Sequence, residues 1–541
     1  MSLHRHTTMS LVIRPSFGVA AVLVCLCASA APQAQPQHST LTGGARLARI
    51  YDAIVDARFD DVPPLMEQNC APRGARGGRA RGRGANAADK APAEACQLLD
   101  VVSLWWQILL DPESLALDAR FEAHADAALT AIEAWTTAEP ERAEAWFYLG
   151  GAYGARAQWR VLRGERLAAA RDGKRIKLAL ERALALDPTL QDAYFGIGLY
   201  HYYADVAPTA AKMVRWLLAL PGGDKTEGLR QMLRARESGE LLRDEADYQL
   251  HLIYLWYEKQ PEHALALLRK LQQAHPRNPL FAQLAADVED VYLHDHAASL
   301  ASWRALFDAA RARHVTEPAM SEVRARLGMA QQLDELCETD TAIEHLRAVI
   351  DAQPAAPFES FARAQLLLGR ALDRLGQRDE AVAAYRSALM AVPARDPWHV
   401  DEDARAGLRK GPNADEALAY RLSLEGARAI ERGDLTAASR ALTRSLALRP
   451  NDQTTRYRKA RLLEARKDDL AAIDLYESVM SAGADTLPTF FADASLHAAR
   501  LYEQQHDEPR ATELYQRVLT SIGADPATKA AATRALARLK K

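Results

Sequence analysis

The chain has 541 residues, with 68 Lys and Arg against 71 Asp and Glu and a formal net charge of −3. This length exceeds what one hydrophobic core usually supports, so the chain must form several domains or an array of repeats. The charge balance disfavours nucleic-acid binding, because proteins that neutralise phosphates usually carry a basic excess.

The first 30 residues (1–30) have the pattern of a secretory signal peptide. Arg5 and Arg14 precede an apolar run over residues 17–27, and the small-residue motif Ala-Ser-Ala follows. The pattern predicts cleavage after Ala30 and a mature chain that is periplasmic or secreted. The apolar run is too short for a transmembrane helix, and no later stretch reaches about 18 apolar residues, so none is expected in the mature chain.

Residues 31–142 are expected to form an N-terminal helical cap. An amphipathic helix is predicted over residues 42–58, and residues 96–110 are apolar on more than one face, which is typical of a helix buried between neighbours. Between them, residues 71–95 are rich in Arg, Gly and Ala and are expected to form a flexible basic loop. The loop is either a solvated insertion without function or a weak contact for anionic lipid headgroups or polymers.

Three cysteines follow the expected cleavage site. Cys70 and Cys96 flank the basic loop, and an exported protein folds in an oxidising compartment, so a disulfide is predicted to close the loop at its base. Cys337 lies in a helical pattern and is expected to be a buried thiol. The alternative for all three is an ordinary core cysteine.

The most regular segment spans residues 365–393 and reads QLLLGRALDRLGQRDEAVAAYRSALMAVP. Gly369 allows two helices to approach closely, Gly376 suits the turn between them, and Pro393 ends the second helix. The apolar stripe of that second helix is Ala381, Tyr385 and Ala388. The segment resembles one tetratricopeptide repeat, a pair of packed helices.

Other segments repeat this spacing. The interval from Gly426 to Pro450 equals that from Gly369 to Pro393, and two weaker units follow toward the C-terminus. Residues 145–153 and 192–201 have the first-helix pattern, but longer intervals follow them, which predicts lengthened helices in the N-terminal half.

The resemblance therefore implies an all-α fold, a right-handed α-solenoid of tetratricopeptide-like helix pairs. Residues 143–393 are expected to form an array that begins with two long pairs. Residues 394–412 are expected to be a linker, and residues 413–541 to form the C-terminal repeats.

One glycine-rich stretch, LPGGDKTEG at residues 220–228, invites comparison with a phosphate-binding loop. That loop needs a glycine directly before its lysine, whereas Asp224 precedes Lys225. The stretch is better explained as a helix end followed by a helix start, with Asp224 and Glu227 forming a capping box.

Proteins of the resembled family hold a peptide or an extended segment of a partner on the concave surface formed by the first helices. The residue after the small one in the first helix is Arg370, Arg461 and Arg500 in three repeats and Ala427 in a fourth. Such a row is suited to a carboxylate-rich segment, with Tyr457 offering an apolar surface. The alternative is an ordinary solvated arginine face. These helices lack the Asn and Lys pattern of the family's carboxylate clamp, which disfavours a chaperone-tail adaptor.

Aromatic residues are concentrated in the N-terminal half. Seven of the tryptophans lie there, and they are Trp105, Trp106, Trp135, Trp146, Trp159, Trp216 and Trp256. Aromatic side chains at helical spacing predict a core, because long helices need packing volume. The alternative is a deep apolar groove for a peptide or an acyl chain.

No catalytic motif is present: the chain has no G-x-S-x-G, no H-E-x-x-H and no paired C-x-x-C. No enzyme activity, cofactor or metal is therefore predicted. The leading hypothesis is an exported scaffold that binds protein partners through its concave surface, in cell-envelope assembly. Two alternatives stay open, a lipid or small-ligand carrier built on the aromatic half and an accessory domain of an envelope enzyme complex. Peripheral membrane contact also stays open.

Overall fold

The computed structural model describes residues 40–72, 90–207 and 222–540. The predicted signal peptide, most of the basic loop and Trp216 lie outside these residues. Within them the chain forms 24 α-helices and two 3₁₀ helices, Phe59–Asp61 and Gly483–Asp485. In chain order the α-helices are α1 (Gly44–Val55), α2 (Val62–Asn69), α3 (Ala93–Leu110), α4 (Asp118–Ala138), α5 (Ala143–Leu162), α6 (Arg166–Leu186), α7 (Ala193–Val206), α8 (Lys225–Ser238), α9 (Arg243–Trp256), α10 (Pro261–Ala274), α11 (Pro279–Val291), α12 (His296–Arg311), α13 (Pro318–Glu335), α14 (Thr339–Ala352), α15 (Ser360–Arg374), α16 (Arg378–Ala391), α17 (Val400–Arg409), α18 (Ala414–Glu431), α19 (Leu435–Leu448), α20 (Gln453–Ala465), α21 (Asp469–Ser481), α22 (Pro488–Gln504), α23 (Glu508–Thr520) and α24 (Pro526–Leu539).

Consecutive helices pack as pairs. After the α3–α4 pair, the pairs are α5–α6, α7–α8, α9–α10, α11–α12, α13–α14, α15–α16, α18–α19, α20–α21 and α22–α23, and α24 packs on the last of them. The predicted all-α solenoid of tetratricopeptide-like pairs is confirmed. The face formed by the first helix of each pair is called the inner surface below.

The last five pairs share one register. A residue with positive φ ends the turn after the first helix in each pair, and these residues are Cys337, Gly376, Gly433, Lys467 and His506. Seven residues before each of them lies a small residue, and these are Ala330, Gly369, Gly426, Ala460 and Ala499. A Cβ atom on Gly369 would come within 2.5 Å of the Tyr385 ring, so the predicted close approach of the two helices is real. Cys337, expected within a helix, is a half-buried free thiol in a turn.

The inner surface of the N-terminal half is filled by helices of the same chain. Trp106 of α3 is fully buried, and its ring lies 5.1 Å from that of Tyr248 in α9 and 5.8 Å from that of Phe281 in α11. Trp105, Trp135 and Trp159 are buried as well, which confirms the predicted core for these residues, whereas Trp256 is exposed and does not belong to it. A helix that is apolar on several faces must be covered on several sides, and α3 meets this need inside the array.

Helix α1 lies beside α3 and is held by polar contacts to several first helices. The Tyr51 hydroxyl donates to the Glu245 carboxylate of α9 (3.0 Å). Just before α11, the Asn278 side chain donates to the Val55 carbonyl (2.7 Å), and just before α13, the Thr316 hydroxyl donates to the Ala57 carbonyl (2.8 Å). The N-terminal segment thus crosses three successive pairs.

The C-terminal end of α3 is also anchored. Arg324 of α13 donates to the Leu110 carbonyl and to Gln283 of α11 (2.7 Å). A cation beside the last carbonyls of a helix satisfies an acceptor and complements the helix dipole. The next residue, Asp111, accepts a hydrogen bond from the backbone of Phe358, just before α15 (3.0 Å).

The α5–α6 pair has the long helices predicted from the sequence, of 20 and 21 residues. In the following pair, α7 and α8 have 14 residues each, and residues 208–221 between them lie outside the described residues. The predicted helix start is confirmed, because the Asp224 side chain accepts hydrogen bonds from the amides of Thr226 and Glu227.

Cys70 and Cys96 are joined by a disulfide, with their Cα atoms 6.3 Å apart. Backbone hydrogen bonds from Ala71 to Ala91 (2.9 Å) and from Ala91 to Asn69 (3.0 Å) lie beside it. The two ends of the basic loop are therefore held together twice, by a covalent bond and by backbone pairing.

The prediction that residues 394–412 form a linker is wrong in part. They contain α17, which packs on α15 and α16 and buries Val400 and Ala404 completely. Gly407 lies against the Tyr385 ring on the side opposite Gly369. Two apolar positions four residues apart suffice for one buried stripe on a short helix, a pattern hidden by the many charges around it.

In the parts of the chain that the structure describes, we find no helix that is both long and apolar enough to span a bilayer.

The burial of α3 predicts a large cost for Trp106→Ala. Removing this ring leaves a cavity between α3, α9 and α11 and is expected to lower the free energy of unfolding by about 3–5 kcal/mol. Trp256→Ala is the matched control, because Trp256 is exposed. Urea denaturation followed by circular dichroism measures both, and a similar small loss in the two variants would contradict the packing described.

Candidate interaction surface

With α1 and α3 in place, the inner surface that remains available is that of the last five pairs. A cleft of about 370 Å³ opens there between α13 and α15. Its lining residues are Ala330, Gln331, Asp334, Glu335, Leu346, Leu367, Arg370, Ala371 and Arg374. One wall therefore carries two arginines and the other wall two carboxylates, above an apolar base.

The predicted residue Arg370 lies in this cleft. Its side chain is 47% exposed and donates to the Asp403 carboxylate of α17 (2.6 Å), which is itself 43% exposed. An ion pair between two exposed side chains contributes only about 0–1 kcal/mol, so Arg370 can exchange Asp403 for another carboxylate at little cost.

The other predicted arginines stand at the same position of their own helices. Arg461 of α20 donates to the Tyr457 hydroxyl (3.3 Å) and lies 3.8 Å from the Glu464 carboxylate. Arg500 of α22 is exposed and lies in the field of Glu503. All three side chains share one face of the array by register, each with an acidic group of this chain nearby.

The prediction that Tyr457 offers an apolar surface to a partner is wrong. Its side chain is only 6% exposed and stacks on Phe490 of α22, with ring centroids 4.9 Å apart. The next pair of helices covers this ring, because first helices stack directly on one another in the array.

Three pairs contain the same buried hydrogen bond between their two helices. In each, a tyrosine of the second helix donates to a carboxylate of the first helix, at 2.6–3.0 Å. The three bonds are Tyr385 to Asp373, Tyr476 to Glu464 and Tyr515 to Glu503. The tyrosine lies 16 residues and the carboxylate four residues after the small residue at the helix crossing.

The arginine row belongs to this unit. Arg370, Arg461 and Arg500 occur in the three pairs that have both the tyrosine and the carboxylate. In the α18–α19 pair all three positions are apolar together, as Ala427, Ile430 and Leu442. Arg461 lies 3.8 Å from the carboxylate of its own repeat, Glu464, and Arg500 lies in the field of Glu503. Arg370 differs, because it pairs with Asp403 of α17.

The pKa values of two of these carboxylates are lowered by the hydrogen bonds that they accept. Burial raises the pKa of Glu464, but hydrogen bonds from His497 and Tyr476 outweigh it and leave the pKa below its usual range. The pKa of Glu503 is likewise lowered, since the bonds from Tyr515 and Arg538 outweigh burial. Both carboxylates are thus held in the charged form inside the fold.

The inner surface next to the cleft carries further charged groups. Arg363 of α15 stacks over the Trp398 ring at 3.9 Å, and burial lowers its pKa to about 10. Asp287 of α11 faces the same space, and burial raises its pKa to about 6. The sequence interpretation missed Arg363, although it stands seven residues before Arg370, two turns away on the same helix face.

The described residues hold no group of three or more His, Cys, Asp or Glu side chains arranged to bind a metal ion. His294 and His296 do not converge: His294 ends a turn with φ of 53°, and His296 pairs with Asp290 (3.0 Å).

Comparison with known proteins agrees with this repeat geometry. Residues 362–394, which comprise most of α15 and all of α16, match the family model of the tetratricopeptide repeat. These residues form a tetratricopeptide repeat. The register shared by its last five pairs extends the repeat plan beyond the matched residues.

A search of curated proteins found no match. Solved structures similar to this chain include a tetratricopeptide repeat protein from Parabacteroides merdae, with 15% identity over 55% of this chain and 99% of that chain (TM-score 0.24). Yeast Tom70 has 12% identity over 80% and 96% of the two chains (TM-score 0.25). A Rap protein complexed with competence and sporulation factor has 13% identity over 92% and 99% (TM-score 0.32).

The tyrosine–carboxylate bonds predict a pH-dependent loss of stability. Tyr476→Phe and Tyr515→Phe are each expected to cost about 1 kcal/mol at neutral pH, because each removes a buried donor from a charged carboxylate. Since the folded-state pKa of each acid is lowered, this contribution is present above the usual value for Glu and lost as pH falls below about 4.

Urea denaturation at a series of pH values measures this effect. Tyr292→Phe is the control, since within the described part of the chain its hydroxyl makes no hydrogen bond. If the loss of unfolding free energy in Tyr476→Phe and Tyr515→Phe stays the same on acidification, the tyrosines do not donate to charged carboxylates.

Proposed function

We propose that this protein is a non-catalytic scaffold that holds an extended, carboxylate-bearing segment of a partner protein in the cleft between α13 and α15. The observation that carries the proposal is a half-exposed arginine, Arg370, beside the apolar Leu346 and Leu367 in a concave site. A carboxylate on the segment pairs with Arg370, and an adjacent apolar side chain packs on the two leucines.

Binding proceeds by exchange at Arg370. In the free protein the Asp403 carboxylate is paired with this guanidinium. A partner carboxylate can replace it without leaving a buried charge unpaired, because both side chains are exposed. Arg374 on the same wall stays in place, because it donates to the Asp334 carbonyl of α13 (2.6 Å). Arg374 thereby fixes the width of the cleft.

The available surface limits where the partner lies. The first helices up to α11 are covered by α1 and α3, so a segment entering the cleft continues toward α18, α20 and α22. Arg461 and Arg500 follow in that direction, and a carboxylate-rich segment would meet them in turn.

We further propose that the protein acts outside the cytoplasm, in the periplasm or as a secreted protein, and serves cell-envelope assembly. The signal-peptide pattern of residues 1–30 supports export, as does the disulfide between Cys70 and Cys96, which needs an oxidising compartment. An accessory role in an envelope enzyme complex would use the same cleft. A lipid carrier has less support, because the large aromatic rings pack against one another.

Site-specific photo-cross-linking in the native host tests the cleft. A photoreactive residue replaces Gln331 on one wall or Leu367 on the other, and both positions are expected to capture the same partner. Arg370→Glu in the same chains is expected to reduce the yield about tenfold, since a repelled carboxylate costs more than the lost ion pair.

The control position is Arg440, which is exposed on α19, a second helix. Equal capture from Arg440, or an undiminished yield with Arg370→Glu, would refute binding in the cleft.

A further inference from the structure

We propose that the tip of the α5–α6 hairpin, residues 156–178, docks on the surface of an anionic lipid bilayer. This surface is separate from the cleft between α13 and α15 and gives the scaffold a place to attach. Exposed apolar side chains and cations without an ion pair lie together on it.

The tip joins two long helices. Helices α5 and α6 have 20 and 21 residues, about 30 Å each at 1.5 Å per residue. Arg163 ties the tip to the turn after α3, donating to the Pro112 carbonyl (2.6 Å) and to the Asp118 carboxylate (2.6 Å). The two turns therefore lie side by side at one end of the hairpin.

Large apolar side chains are exposed at this end. The exposed fractions are 64% for Val161, 60% for Leu167, 55% for Leu178 and 54% for Leu115, which lies in the turn held by Arg163. Single exposed leucines are common on soluble proteins and need no explanation. Val161, Leu167 and Leu115 lie in or beside the two joined turns and Leu178 lies about three helical turns further along α6, and together they are an apolar set that water does not favour.

Positive charge surrounds these side chains. Residues 156–178 contain eight Arg and Lys and only two acidic residues, in a chain with a formal net charge of −3. One acid, Asp172, is fully buried and pairs with Arg156 (2.9 Å), with Arg160 and with the exposed Arg175 (3.6 Å). The other, Glu165, lies 3.7 Å from Arg160.

Two further cations pair with acids, Arg163 with Asp118 (2.6 Å) and Lys177 with Glu181. The other three, Arg166, Arg171 and Lys174, have no ion pair with the described residues. Leu167, Arg171, Lys174 and Leu178 follow one another at spacings of four, three and four, which places them on one face of α6. On that face two basic side chains lie between two leucines.

This combination suits an interface between headgroups and acyl chains. Leucine and valine enter the acyl boundary, while arginine and lysine extend along it and reach anionic phosphates. A bilayer accommodates the exposed leucines and the cations together. The alternative occupant is an acidic protein, which would pair with the cations but would not need the exposed leucines for binding.

Vesicle co-sedimentation of the full mature protein tests the proposal. Binding is expected to vesicles of phosphatidylcholine with phosphatidylglycerol, to be much weaker with phosphatidylcholine alone, and to fall as salt is raised. Arg166→Glu with Arg171→Glu, and separately Leu167→Ser with Leu178→Ser, are each expected to weaken binding at least about tenfold.

Matched changes on second helices outside the tip serve as controls. Arg440→Glu with Arg444→Glu alters the net charge equally on α19, and Leu470→Ser removes an exposed leucine from α21. Both are expected to bind as the unaltered protein does, and circular dichroism verifies that every variant is folded.

Three results would each overturn the proposal. The first is no binding by the unaltered protein, which leaves an acidic protein as the occupant. The second is equal binding to both kinds of vesicle. The third is undiminished binding by both tip variants, which would assign the lipid contact to another basic part of the chain. None of these results bears on the cleft, whose cross-linking test is independent.

Discussion

The packing of α3 against the inner surface is the constraint on which the rest of this protein depends. A helix that is apolar on several faces is stable only if neighbours cover each face, and here α9 and α11 enclose Trp106 while Arg324 of α13 holds the helix end. Solenoids commonly leave their concave surface open for ligands. In this chain the N-terminal half of that surface is used to build the core instead.

This arrangement separates the molecule into parts with different tasks. The first pairs, with α1 and α3 inside, form one continuous core, and their long α5–α6 hairpin carries exposed apolar and basic side chains outward. The last five pairs retain an accessible inner surface with the cleft at its start. The proposed bilayer contact and the proposed partner cleft therefore use different parts of the chain.

The arginine row accompanies a repeated contact between two helices. In three pairs a tyrosine donates a hydrogen bond to a carboxylate of the first helix, and in the α20–α21 pair Arg461 lies 3.8 Å from that carboxylate. The α18–α19 pair has none of the three residues and packs through Leu442 against Gly426. Only Arg370 combines this position with a replaceable partner and a cleft, which singles it out from Arg461 and Arg500.

Much of the fold was predictable because repeats place the same residue types at fixed intervals. Gly369, Tyr385 and Pro393 marked the helices, and the spacing carried over to other pairs. The tyrosine, carboxylate and arginine also recur at fixed offsets, so a systematic comparison of the repeats would have found their unit. Periodicity predicts the packing of one helix or one pair, but not the contacts between pairs that are distant in sequence.

Contacts between distant parts of the chain were not predictable from spacing. The sequence 96–110 indicated a buried helix but not that α9 and α11, more than 130 residues away, would bury it. The same limit explains the error on Tyr457, which Phe490 of the next pair covers. It also explains the stacking of Arg363 on Trp398, since the position of α17 depends on tertiary packing.

Hydrogen exchange measured by mass spectrometry tests most directly whether α3 is an integral part of the inner surface. Backbone amides of α3 are expected to exchange as slowly as those of α9 and α11, because the amides of all three helices become accessible to solvent only when the N-terminal core unfolds. Amides of α3 that exchange orders of magnitude faster than those of α9 and α11 would contradict it. Such a result would mean that the helix detaches and that the inner surface of the N-terminal half is open to a partner.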